Sequence, residues 1–202
     1  MGTELNPMTR AACSRPEPSD EVLVGRISRG DADALNVLFR RHRSVAYRVA
    51  YRLLGNEPDA LDAVQDGFVN ALSHLNRFGG RSSFKTWLLR IVSNAALDLG
   101  RSRRRRDNRF AGPSADDLPT VPDHRADDPD QSAHRADLRV LLAAALNQLP
   151  SAQRQTFVLH VDGGLTYQEV ADALGIAVGT VMSRLFYARQ RLKESLAQHV
   201  AP

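Results

Sequence analysis

The period of its apolar residues limits most severely how this chain can fold. Through most of its 202 residues they recur at steps of three and four, with almost none of the alternation a half-buried strand requires. Helices must therefore carry the core. Ser19 is placed to cap a first helix over about 20–29, which Gly30 stops. A second, over about 32–54, sets Leu35, Leu38, Phe39, Ala46, Val49 and Leu53 on one stripe and ends at Gly55-Asn56. Pro58 opens a third at a first-turn position, where its missing N–H costs nothing. That helix is expected to reach about Asn76 and to bury Leu61, Val64, Phe68, Leu72 and Leu75. After Gly79-Gly80 a fourth begins near Ser83, turns Trp87, Leu88, Ile91, Val92 and Ala95 inward, and runs into a cluster of arginines. Short turns joining four helices predict one all-α domain over 20–108.

Residues 109–134 are rich in Pro, Asp, Ala and Ser and have no sustained period, so they are expected to form a flexible linker. Helical spacing resumes near Ala136 and is broken at Leu149-Pro150, Asp162-Gly163-Gly164 and Gly175, predicting a second small helical domain over 135–198. Charge follows the same division. Six of the nine residues Arg101–Arg109 are arginine, whereas seven aspartates face two arginines between Gly112 and Asp137. A basic domain end followed by an acidic spacer suits a polyanion partner, in line with the net charge of +4.

Several classes are disfavoured. Cys13 is the only cysteine, so neither an intramolecular disulfide nor a cysteine-rich zinc site can form, and a lone thiol in a tail is most simply incidental. Residues 1–19 lack an apolar core segment and read as a disordered tail; a start at Met8 in place of Met1 would only shorten it. No apolar run approaches the roughly 20 residues that span a bilayer, and a cytoplasmic location is expected. His42, His74 and His160 are scattered, with no carboxylate cluster, nucleophile elbow or phosphate loop, so no catalytic residue, metal or cofactor is expected and the chain does not read as an enzyme.

The most informative stretch is Leu165–Leu192. Thr166 with Glu169 three residues later has the spacing of a capping box, and the helix from Tyr167 turns Val170, Ala171 and Leu174 to one side. Gly175 supplies a turn. In the next helix Val178, Val181, Leu185, Ala188 and Leu192 recur at steps of three or four, while Thr180, Ser183, Arg184 and Tyr187 occupy another face. A helix-turn-helix over 167–186 needs this layout: one helix braces across the backbone and the second enters the major groove. An ordinary helical hairpin with a solvated polar face has the same spacing.

In the first domain, Arg90, Asn94, Asp98, Arg101 and Arg105 form a polar stripe on the fourth helix. Before it lie Phe78, Phe84 and Trp87 and a loop carrying Arg77, Arg81, Ser82 and Ser83. Rings and hydroxyls beside arginines suit unpaired bases, which stack or enter pockets while cations hold the phosphates. Trp87 reads more readily as partly a core residue, Phe84 can be read the same way, and the arginine run as a solvated helix end complementing the C-terminal dipole. On the third helix Asp59 and Asp62 complement the N-terminal dipole; Gln65 and Asp66 lie further in and suit either that role or an exposed protein-binding surface.

Taken together, these segments resemble the extracytoplasmic-function (ECF) group of the sigma-70 family. Asp59–Val69 (DALDAVQDGFV) resembles its DAxDxxQ(E/D)xF polymerase-binding segment, and Ser83–Asp98 (SFKTWLLRIVSNAALD) its (S)FxxWLxRIxxNxxxD promoter-melting segment. Gly179–Arg189 (GTVMSRLFYAR) resembles its GTVxSRLxRAR recognition helix. The resemblance covers nearly everything from about residue 20 to 196 in family order.

It implies an alternative sigma factor with a region 2 and a region 4 domain. Such a protein binds the RNA polymerase core at the beta-prime clamp and the beta flap, recognises −35 and −10 promoter DNA and opens it. Asp59, Asp62, Gln65, Asp66, Phe68 and Val69 would belong to the core-binding segment. Arg77, Arg81, Ser82, Ser83, Phe84, Trp87, Arg90, Asn94, Asp98 and Arg101 would serve the −10 element, with Asn94 and the loop capturing a flipped base. Tyr167, Val178, Gly179, Thr180, Met182, Ser183, Arg184, Tyr187 and Arg189 would serve the −35 element, and the linker would thread toward the RNA exit path. The resemblance also implies an anti-sigma partner and no small-molecule substrate. Leu61, Gly67 and Tyr187 depart from the pattern; Gly67 should cost its helix about 1 kcal/mol. A free-standing helix-turn-helix regulator is the rival reading, but it leaves Asp59–Val69 and Ser83–Asp98 unexplained.

Overall fold

A computed structural model describes residues 17–110 and 140–200, and every regular element among them is helical. In order these are α1 (Asp20–Ile27), α2 (Ala32–Leu54), α3 (Glu57–Ser73), a 3₁₀ turn (Leu75–Arg77), α4 (Phe84–Phe110), α5 (140–148), α6 (Ser151–Val161), α7 (Tyr167–Leu174) and α8 (Val178–Val200). The tail with Cys13 and nearly all of the acidic linker lie outside the described residues. No single helix among the described residues is long and apolar enough to cross a membrane.

Local chemistry sets the helix ends. Ser19, Asp31 and Asn56 each accept a hydrogen bond from the backbone N–H three residues on, the N-cap arrangement that satisfies an orphan donor. α2 ends where Gly55 adopts a φ of 80°, strained for any residue with a Cβ.

In the first half, α2, α3 and α4 pack around Leu38, Val49, Leu53, Phe68, Leu88 and Val92, with α1 laid on α2 through Leu23. Leu61, expected inside, is 52% exposed. The buried arc of α3 runs through Ala60, Ala63, Val64, Gly67, Phe68 and Ala71, and Leu61 lies about 100° of helix rotation from Ala60, off that arc. Phe39, also expected in the core, sits at its margin with its ring edge-on to Phe68 at 4.6 Å. At Gly67 α3 and α4 approach closely: a Cβ there would lie 2.5 Å from Val92 Cγ2 and 3.1 Å from Val92 Cα.

In the second half, α6, α7 and α8 bury Val158, Leu159, Leu165, Val170, Val181 and Leu185, while Ala145, Leu146, Leu149, Ala188 and Leu192 close a smaller cluster beneath α5. The two halves are in contact, an arrangement absent from the sequence reading. α6 and α7 rest on α4, α6 also touches α2, and one apolar cluster is continuous across the boundary. α4 is therefore covered on two sides, which is why Leu89 and Ser93 are buried together with the expected Leu88 and Val92.

Candidate nucleic-acid interface

The helix-turn-helix is assembled by its caps. Thr166 Oγ1 accepts from the Glu169 N–H at 3.2 Å and the Glu169 carboxylate accepts from the Thr166 N–H at 2.8 Å, a complete capping box. That backbone hydrogen bond, helped by the hydroxyls of Thr166 and Thr86 and by Lys85, holds the Glu169 carboxyl below its ordinary range. Gly175 ends α7 at φ 65°, and α8 leaves at 106° to α7, within the range of a helix-turn-helix pair.

Val181, Leu185, Ala188 and Leu192 of α8 are buried, and half-buried Val178 packs on the same core. Gly179, Thr180, Met182, Ser183, Tyr187 and Arg189 are exposed, Arg184 is half-buried, and nothing would meet a Cβ at Gly179. The rings of Phe186 and Tyr187 stand edge to face at 5.4 Å on the exposed side. Tyr167 is half-buried with its ring 4.9 Å from that of His160. In α7 Ala173 is buried with Val170 and Ala171, while Leu174 is only half-buried.

On α4, Arg90, Asn94, Asp98 and Arg101 are exposed along one face, and Arg101 donates to Asp98 at 3.2 Å. Arg77, Arg81 and Ser83 are exposed in the preceding segment, with Ser82 half-buried. Ser83 Oγ accepts from the Thr86 N–H and so fixes the start of α4. Phe84 is buried in the core. Half-buried Trp87 completes a cluster with Phe78 and Phe84 whose ring centres lie 5.3–5.9 Å apart, typical of interacting aromatics.

On α3, Asp62, Gln65, Asp66 and Val69 are exposed on one face beside Leu61. The other two residues of that set are engaged internally. Phe68 is buried, and the Asp59 carboxylate accepts from Asn56 at 2.9 Å and Arg103 at 3.0 Å. Burial works to raise Asp59, but those two donors prevail and hold it below the ordinary carboxylate range.

Sequence reasoning missed the groups that join the halves. Gln155 Nε2 donates to Ser93 Oγ at 3.1 Å and to Asn94 Oδ1 at 3.0 Å. Thr86 Oγ1 donates to Glu169 at 3.3 Å, and Arg52 Nε to Asp162 at 3.2 Å. Burial raises the Asp162 carboxyl, and the pairing with Arg52 offsets this only in part. Pairs more than 60 residues apart leave no local spacing to detect.

The histidines have structural settings. His42 Nε2 lies 2.7 Å from Asp20 Oδ2, His74 Nδ1 2.9 Å from the Asn70 carbonyl, and His160 Nδ1 2.8 Å from the Leu165 carbonyl. Among the described residues no group of three or more His, Cys, Asp or Glu is arranged to hold a metal ion.

These features define a two-part helical protein with a helix-turn-helix in one half and an arginine-rich helix beside an aromatic cluster in the other. Comparison with known proteins gives the family. Residues 38–106 match the family model Sigma-70 region 2, and residues 139–192 match Sigma-70, region 4. The ECF RNA polymerase sigma factor SigE of Mycolicibacterium smegmatis is 38% identical over 190 residues, covering 91% of this chain and 71% of that protein. The RNA polymerase sigma-H factor of Pseudomonas aeruginosa is 30% identical over 185 residues, covering 89% and 95%. Among solved structures, CnrH in complex with the cytosolic domain of CnrY superposes with a TM-score of 0.67 at 27% identity, covering 91% of this chain and all of that one. The sigma factor RpoE from Bartonella quintana, in complex with the anti-sigma factor NepR, gives 0.64 at 26% identity, covering 81% and 96%. The chain belongs to the ECF group of the sigma-70 family and is an alternative sigma factor, a transcription initiation factor that binds DNA.

Proposed function

We propose that this sigma factor works in the cytoplasm without catalytic activity of its own and divides its tasks among three surfaces. The exposed face of α3 (Asp62, Gln65, Asp66 and Val69) docks on the beta-prime clamp, and the second half engages the beta flap. Asp59 and Phe68 serve that surface indirectly, by fixing α3 against α4 and α2. The exposed face of α4 meets the −10 element: Asn94 hydrogen-bonds a flipped base, Arg90, Asp98 and Arg101 contact its duplex edge, and Arg77, Arg81, Ser82 and Ser83 line the path of the strand. Trp87 and Phe84 shape the wall beside it. The exposed face of α8 reads the −35 element through Thr180, Ser183, Arg184 and Tyr187.

Residues 20–108 and 135–198 act as the two working domains, with 109–134 passing between them through the polymerase. Control by an anti-sigma factor is supported by the two solved relatives, whose complexes are with CnrY and NepR.

The observation that carries this reading is that Asn94 lies exposed on the same face of α4 as Arg90, Asp98 and Arg101, one helix start from the aromatic cluster. Run-off transcription with purified core polymerase tests it. Asn94→Ala should initiate poorly on duplex promoters yet near normally on templates melted in advance. Equal loss on both templates would remove Asn94 from base capture.

A further inference from the structure

Where the two halves meet there is a cavity of about 500 Å³, large enough for a nucleotide-sized ligand. Among the described residues four guanidinium groups line it (Arg101, Arg103 and Arg104 from α4, Arg154 from α6) against one carboxylate, Asp59, which already accepts from Asn56 and Arg103. Arg154 is the decisive residue. It is only 5% exposed, its one hydrogen bond among the described residues runs to the Asn147 carboxamide at 2.7 Å, and its Nε has no partner among them. A buried cation without a counter-ion is costly, and no carboxylate among the described residues pairs with it. The charged group bearing on it is Arg104, of the same sign, and burial together with Arg104 lowers its proton affinity.

The wall adds donors of the same polarity. α6 starts beside the cavity at Ser151 behind Pro150, with no side-chain cap, so its first free N–H groups and its dipole favour an anion. Leu53 and Leu54 provide an apolar side.

We infer that this cavity is a binding site for a small phosphate-bearing anion, of the pyrophosphate or nucleoside polyphosphate class, held by Arg104 and Arg154 between the two halves. Planar guanidinium groups match phosphate oxygens in pairs, and Arg154 gains a counter-ion that no described residue supplies. Because α4 and α6 both contribute, the ligand binds only when the halves are together and stabilises that arrangement by mass action.

Isothermal titration calorimetry on the full chain at fixed ionic strength tests this, with pyrophosphate, GTP and sulfate as separate titrants. Saturable binding of pyrophosphate or GTP is expected, with the exposed Arg104→Gln weakening it about tenfold or more and Lys193→Gln leaving it unchanged. Equal affinity for the two phosphates would identify the phosphate group itself as the ligand, and tighter GTP would add the apolar wall. No saturable heat from either phosphate, equal loss in both variants, or sulfate binding as tightly as both would overturn the site. Arg154→Gln is the stricter test where it folds, and Arg104→Gln, changed on an exposed side chain, keeps the outcome readable where it does not.

Discussion

Gly67 is a residue whose sequence cost and structural value point in opposite directions. In the middle of α3, glycine gives up about 1 kcal/mol of helix propensity relative to alanine. A Cβ at that point would lie 2.5 Å from Val92 Cγ2, and the backbone of α4 stands close behind it. Val92 is fully buried, so it has no free space to move into. Overpacking of this kind costs about 1–3 kcal/mol, so Gly67→Ala should lower stability by up to about 2 kcal/mol after the propensity gain. Urea unfolding followed by helicity checks the sign, and a stabilised variant would mean that α3 and α4 separate more easily than their packing indicates. Arg184 is a different case, because little of the fold depends on it: half-buried at the edge of the recognition face, it has no ion pair among the described residues. Arg184→Ala should leave binding to core polymerase intact and reduce −35 discrimination by about 1–3 kcal/mol, measured as promoter preference in run-off transcription. Unchanged preference would move −35 reading to Thr180, Ser183 and the exposed pair Phe186 and Tyr187.

At the scale of the helix, α7 depends on its start. It has eight residues, too few to hold together by propensity, and its capping box supplies two of the missing hydrogen bonds. Thr166→Ala should cost about 1 kcal/mol. Glu169 adds a pH dependence whose sign follows from its lowered pKa. Its contribution is complete above the ordinary glutamate value of 4.5 and is lost as pH falls through the lower folded value, so acid should loosen α7. Hydrogen exchange of α7 amides in Glu169→Gln should show the same loosening at neutral pH, and protection equal to that of the unaltered protein would set the carboxylate's role aside. The capping box was legible in the sequence because both partners lie within one turn of each other, and so were the bounds of α2 and the inward face of α8, which follow a single period. Leu61 was misplaced because an apolar residue next to a buried arc fits a helical stripe until the neighbouring helices fix the centre of that arc. Leu89, Ser93 and Gln155 were invisible as interface residues, since their burial depends on contacts between segments about 60 residues or more apart.

For the molecule as a whole, the contact between its halves conflicts with the proposed task of α4. Asn94, assigned to a flipped base, already accepts a hydrogen bond from Gln155, and Thr86 at the start of the same helix donates to Glu169 of the DNA-reading half. If Asn94 takes the base as proposed, promoter opening would require α6 to leave α4, and the fraction of molecules already apart would limit the apparent affinity for core and promoter. Burial disfavours the charged form of Asp162 and so offsets part of what its pairing with Arg52 contributes. Hydrogen bonds and apolar contact act beside that pair as closing interactions. Gln155→Ala removes two of the former and leaves no orphan on α4: Ser93 still donates to the Arg90 carbonyl, and exposed Asn94 can reach water. At about 1 kcal/mol for each bond, the balance should move toward the separated form by roughly tenfold or more. Dyes on Ser73→Cys and Lys193→Cys, with Cys13 changed to serine, should report lower energy transfer in Gln155→Ala. The concentration of protein needed for half-maximal initiation with core polymerase should fall as well. If energy transfer fell while that concentration stayed the same, separation of the halves would not limit initiation, and the interface would have to act at another step.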